Sequence, residues 1–178
     1  RPITSVAEAL MRLGARMTQR LVGAMQATDA FARADAIDPA RLAEHTAHAR
    51  AVAAHMAELA IPPRAGDAYV LGLLHHIGQL VLATTRPSET LAIEEAMRER
   101  DTPRHVLERE VLGYTHAHVS AGLLAYWGFP CELVTAVLTH HDDEGGGELA
   151  AWLRTATAAT RSGTLRRPSG DAPRGGAR

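Results

Sequence analysis

At 178 residues, with 46% hydrophobic and 22% charged residues and a net charge of −1, the chain has the composition of one soluble globular domain, without the basic excess that nucleic acid or an anionic membrane surface requires. Aromatic residues at 4% leave few stacking platforms for single-stranded nucleic acid, and a lone cysteine, Cys131, excludes an internal disulfide and fits a reducing, cytoplasmic setting. No apolar run approaches membrane-spanning length, because His75, His76 and Gln79 interrupt 68–83, and the opening RPITSVAEAL has no signal-peptide pattern.

Ser5 and Glu8 have capping-box spacing, which predicts a helix from Val6 to about Met25, weakened by Gly14 and Gly23. After a loop over 27–38, Asp38 as N-cap and Pro39 at the first helical position start a helix that runs to about Ala60, where IPPRAGD stops it. The next helix runs from about Asp67 to about Thr84. Its apolar residues cover every side of the wheel, so it is buried all round. Pro87 opens a helix to about Arg100, and Pro103 a short one to Leu112 that Gly113 ends. HAHVSAGLLAYW makes a helix to Trp127; GFP breaks it, and Pro130 begins another that ends near His141. After the DDEGGG loop, a last helix spans Glu148 to Arg161. The tail 162–178 is rich in Gly, Pro and Arg and has too little apolar surface to order itself. The expectation is an all-α bundle of about seven or eight helices with no sheet.

Ten histidines are the unusual entry in the composition. His45 falls within the apolar stripe of the 39–60 helix, whereas His48 and His55 fall toward its polar edge and are expected to be solvated or at the rim. His75 and His76 sit in the all-apolar helix. His116 shares a stripe with Val119, Ser120 and Leu123, and His118 lies on another face. His140 and His141 continue the apolar faces of their helix. Six histidines, His45, His75, His76, His116, His140 and His141, are thus aimed at a common interior. A histidine on an apolar face is ordinarily a satisfied core residue, but four helices each presenting one suggests a shared polar cluster.

The blocks EHT at 44–46, GLLHHIGQL at 72–80, EREVLGYTHAHVSAGLLAYWGFP at 108–130 and LTHHDD at 138–143 together resemble an HDOD domain, the HD-related output domain of bacterial signalling proteins and a relative of the HD and HD-GYP phosphohydrolases. The resemblance covers most of 5–160, so 1–161 is expected to form one HDOD-like domain. ITSVAEALMRLG resembles the helix that follows the family's first helical pair; that pair is missing here, which implies a fragment, a module that follows another, or a shortened variant.

The resemblance implies an HD-like helical bundle and indicates where an active relative would hold metal. His45 matches the first histidine ligand and His75 the histidine of the HD pair; His76 stands where that pair has its aspartate. His116, His140 and His141 match the extra histidines of HD-GYP-like sites, and the last aspartate would fall near Thr157. A carboxylate can bridge two divalent cations and offset their charge, whereas a neutral imidazole gives one lone pair and no charge. With both aspartates replaced, a bridged metal pair that generates hydroxide is not expected. Gln79 occupies the place of the signature lysine, and the chain contains no lysine at all. Two readings of the histidines stay open: a hydrogen-bonded network without metal, or a site for one divalent transition ion (Zn, Fe, Ni or Mn). No catalytic residue is assigned. The acidic run Asp142, Asp143 and Glu144 reads as a solvated turn, and Cys131 as a structural cysteine.

The expected function is a non-catalytic signal-transduction module, a pseudoenzyme that acts on another protein or a neighbouring signalling domain. The alternatives are a metal-dependent phosphohydrolase of nucleotides or cyclic dinucleotides, and a sensor that binds a nucleotide without cleaving it.

Overall fold

The computed structural model describes Thr18, Val22 and residues 37–61, 64–142 and 144–161. Helices follow one another as α1 (Pro39–Leu59), α2 (Ala65–Leu74), α3 (Ile77–Thr85), α4 (Pro87–Glu99), α5 (Arg104–Leu112), α6 (His116–Tyr126), α7 (Cys131–Leu138) and α8 (Gly147–Arg161). No strand occurs among the described residues, so the fold is all-α. The expected helix over 6–25 and the tail 162–178 lie outside the described residues, except that Thr18 and Val22 are helical.

Local signals set most boundaries. The Asp38 carboxylate accepts the Ala40 N–H at 3.0 Å, and Pro39 fills the first helical position of α1. Gly113 ends α5 in the left-handed region at φ 81°, a conformation that costs glycine nothing. Thr115 caps α6, and His118 completes the cap: its Nδ1 accepts the Thr115 N–H at 3.3 Å.

Two expectations are corrected, both at paired histidines. The single helix expected over 67–84 is divided, with His75 and His76 in a turn between α2 and α3. The His75 Nδ1–H donates to the Gly72 carbonyl at 2.7 Å. That carbonyl is the acceptor the His76 N–H would need to continue the helix. At the second pair, α7 ends at Leu138, short of His141. There the last helical bond is that of the Thr139 N–H to the Thr135 carbonyl, and the His140 Nδ1–H donates to the Val137 carbonyl at 2.5 Å just past the helix end. At the first pair the imidazole takes the carbonyl that the next helical bond would use; at the second it takes one beyond the end of the helix.

The hydrocarbon core lies among α1, α2, α6, α7 and α8, where Met56, Leu71, Leu124, Leu133, Leu149 and Leu153 are fully buried. α1 packs on α2 and α8, and α3 on α6. Gly72 lets α2 approach α1, since a Cβ there would stand 2.4 Å from Ala53 Cα. A Cβ on Gly78 would stand 2.3 Å from the His116 carbonyl oxygen, and the Gly78 N–H donates to Ser120 Oγ at 2.9 Å. The two glycines of GLLHHIG thus press the histidine turn against α1 on one side and the start of α6 on the other. Residues 65–85 together are apolar and long enough to cross a membrane by length and composition, contrary to the sequence expectation; 61% of that window is buried in the bundle, as for the core helix of a globular domain.

Candidate functional site

The turns and helix ends described above deliver a layer of imidazoles to one place. His75, His76, His116 and His140 are buried, and His141 is half-buried. The His75 and His76 rings stand 3.7 Å apart, those of His140 and His141 3.8 Å, and His76 meets His116 edge-on at 4.7 Å. His116 Nε2 and His141 Nε2 approach to 3.0 Å.

Three of the rings, those of His75, His116 and His140, have a proton held from outside. The His75 and His140 Nδ1–H groups face carbonyls, which can only accept. Behind His116 stands Glu108, fully buried, whose Oε2 accepts both the His116 Nδ1–H at 2.6 Å and the His116 backbone N–H at 2.7 Å. Its Oε1 accepts the Arg104 Nε–H at 2.9 Å. Burial pushes the Glu108 carboxyl up, but the hydrogen bonds and charge of His116 and Arg104 outweigh it and hold the pKa below the usual carboxylate range. A carboxylate on one imidazole nitrogen fixes the tautomer and leaves the other nitrogen's lone pair toward the cluster, as behind many metal-ligating histidines.

Burial, reinforced mainly by His140 at His75 and by His75 at His76, drives both pKa values well below the ordinary imidazole value, so both rings are neutral near pH 7. Their Nε2 atoms are buried and have no hydrogen-bond partner among the described residues. Such an atom costs about 1–3 kcal/mol when left so.

Two groups of side chains could each hold a metal ion: His76, His116, His140 and His141, and His48, His75 and His76, with ligand atoms within 4.8 Å of one another in each. Of the six histidines singled out in the sequence, five fall in these groups and His45 falls in neither. His48, expected at the polar edge, is half-buried and stacks on His76 with centroids 5.3 Å apart and planes within 9°. Half-buried is the rim position that the helical wheel of α1 gives it; what the wheel does not show is its contact with the paired histidines of another element. His45 stands one turn away and lines a cavity of about 280 Å³ with His48, His76, Gln79, Arg41 and Arg104. Burial, then the nearby His48, His116 and Arg104, lowers the His45 pKa to about 4. Thr157, at the place of the expected aspartate, is buried with its hydroxyl donating to the Leu153 carbonyl at 2.7 Å.

The donor chemistry fits one of the two candidate metal arrangements. A bridged pair of dications needs a carboxylate between them, and both groups are made of imidazole alone among the described residues. Glu108 sits behind its histidine with both oxygens engaged. A single transition ion on neutral imidazoles suits the donors present.

Comparison with known proteins agrees with this geometry. The family model of the HDOD domain matches residues 1–143. The chain belongs to the HDOD family. Among solved structures, this HDOD chain is similar to a provisionally named phosphohydrolase from Shewanella amazonensis SB2B, with 27% identity over 91% of the chain and a TM-score of 0.71. An HDOD domain protein of unknown function from Geobacter sulfurreducens shares the fold over 96% of the chain, with 22% identity and a TM-score of 0.72. The MmoQ response regulator of Methylococcus capsulatus str. Bath matches over 78%, with 29% identity and a TM-score of 0.54. The chain spans 61%, 60% and 55% of the length of these three proteins.

Proposed function

We propose that this HDOD chain is a non-catalytic output module of bacterial signal transduction, which relays an upstream input through contacts with another protein or a neighbouring domain. The observation that carries this reading is the all-imidazole composition of both potential ligand groups. Without a carboxylate to offset and bridge two cations, the layer is unsuited to the two-metal clamp that would hold both the attacking and the leaving oxygen of a phosphodiester. The adjoining cavity supports the same view. Arg41 is paired with Glu94, and Arg104 with Glu108 and, at 3.8 Å, with Glu94, so neither guanidinium is a ready partner for a phosphate. The likeness to a response regulator supports a role in signalling.

The cavity of about 280 Å³ beside His76 favours one second reading, a sensor that binds a nucleotide without cleaving it. Purified protein supplied with Mn²⁺ and bis(4-nitrophenyl) phosphate, and separately titrated with cyclic dinucleotides by calorimetry, separates the readings. The output-module reading expects neither turnover nor heat of binding. Binding without turnover replaces it by the sensor, and hydrolysis that disappears in His75→Ala replaces it by a phosphohydrolase.

A further inference from the structure

We propose that the chain binds one divalent transition ion, and not a pair, on imidazoles alone: His76, His116, His140 and His141 hold it, with Glu108 as the positioning residue behind His116. The inference goes beyond the output-module reading, because an ion bound without turnover is a structural or sensory element in its own right.

Stoichiometry follows from His76. It is the one side chain common to both potential ligand groups. A neutral imidazole has one lone pair, so His76 serves one ion at a time. The two groups are therefore alternatives. A second dication close to the first would also lack any negative ligand charge to offset it.

Three observations favour the four-histidine group. It supplies a complete tetrahedral set, whereas His48, His75 and His76 supply three ligands. Two nitrogens on one tetrahedral ion at about 2.0–2.1 Å lie about 3.3 Å apart. The His141 Nε2–H donates to His116 Nε2 at 3.0 Å, so this pair already has nearly the spacing required, and an ion would replace that hydrogen bond. Finally, Glu108 fixes the tautomer that points the His116 lone pair at His141. An ion in either group would engage the His76 ring, whose Nε2 is buried and has no hydrogen-bond partner among the described residues. Such an ion would join three separate stretches of chain: the turn between α2 and α3, the start of α6 and the turn after α7.

Metal-stripped full chain is titrated with Co²⁺ and Zn²⁺, with elemental analysis of the product and visible spectra of the Co²⁺ form. The expected result is one ion per chain, the intense visible bands of tetrahedral Co²⁺, and a raised Tm. His141→Ala abolishes binding, whereas His75→Ala retains one ion. His48→Ala, at a half-buried position, makes the same comparison if His75→Ala does not fold. Glu108→Gln keeps the stoichiometry and the Co²⁺ spectrum but weakens affinity about 10–100-fold; a merely structural Glu108 would lower Tm and leave affinity unchanged. Two ions per chain, no ion, or an ion lost in His48→Ala or His75→Ala and kept in His141→Ala overturns the proposal.

Discussion

The same helices build two unlike interiors. α1 gives Val52 and Met56 to the hydrocarbon core and His48 to the imidazole layer; α2 gives Leu71 and Leu74, then His75 just past its end; α6 gives Leu124 and His116. In the hydrocarbon core, removal from water is the dominant stabilising term, with close packing added to it. In the imidazole layer, burial is opposed by lost hydration, and among the described residues the Nε2 atoms of His75 and His76 have no hydrogen bond to offset it. The difference teaches that the first interior holds the fold together, while the second is carried at a cost that folding alone does not explain.

The strongest way to test that contrast is to damage the hydrocarbon side. Leu71 is fully buried, and Leu71→Ala is expected to lower stability by about 2–5 kcal/mol in urea unfolding. Gly78→Ala places a methyl against the His116 carbonyl and is expected to cost about 3 kcal/mol, with loss of metal affinity measured in parallel because the start of α6 must shift. Gly113→Ala, by contrast, meets no atom within 4 Å, so its expected loss, smaller than that of Gly78→Ala, comes only from the left-handed backbone.

Acid should separate the two interiors without any mutation. The folded-state pKa of His45 is lowered from 6.5 to about 4, by burial first, and those of His75 and His76 are lowered as well. As pH falls, the unfolded chain therefore takes up protons first. Stability is intact above pH 6.5 and is lost between 6.5 and about 4, by on the order of 3 kcal/mol from His45 alone. Urea midpoints of the metal-free protein from pH 7 to pH 4 check this; a flat profile would mean that the layer is open to water. The smallest effect is the most telling. His76→Leu removes a buried polar ring from the metal-free protein and is expected to change stability by less than about 1 kcal/mol or to raise it. A loss as large as that of Leu71→Ala would show that the two interiors are equivalent after all.

What the sequence disclosed follows the range of the interactions. Asp38, Pro39, Gly113 and Pro130 act within a turn of themselves, so the boundaries they set were legible. The break at His75–His76 was not, because it depends on a side chain taking a backbone carbonyl that helical periodicity assigns to the next N–H. Glu108 stood in the quoted motif, yet its role needed the chain to fold back across Gly113 and bring it behind His116. That His48 joins a ligand group was hidden for a related reason: its partner His76 lies on a different element, and no pattern along α1 reports that.

The central proposal is that this imidazole layer, without a carboxylate to bridge two cations, does not hydrolyse phosphodiesters. A single-turnover assay tests it most directly, with Mn²⁺-loaded protein in excess over a radiolabelled cyclic dinucleotide, so that even one slow cleavage per chain is seen. The account predicts intact dinucleotide at the background rate. Linear product formed in proportion to protein, and absent with His75→Ala, would contradict it.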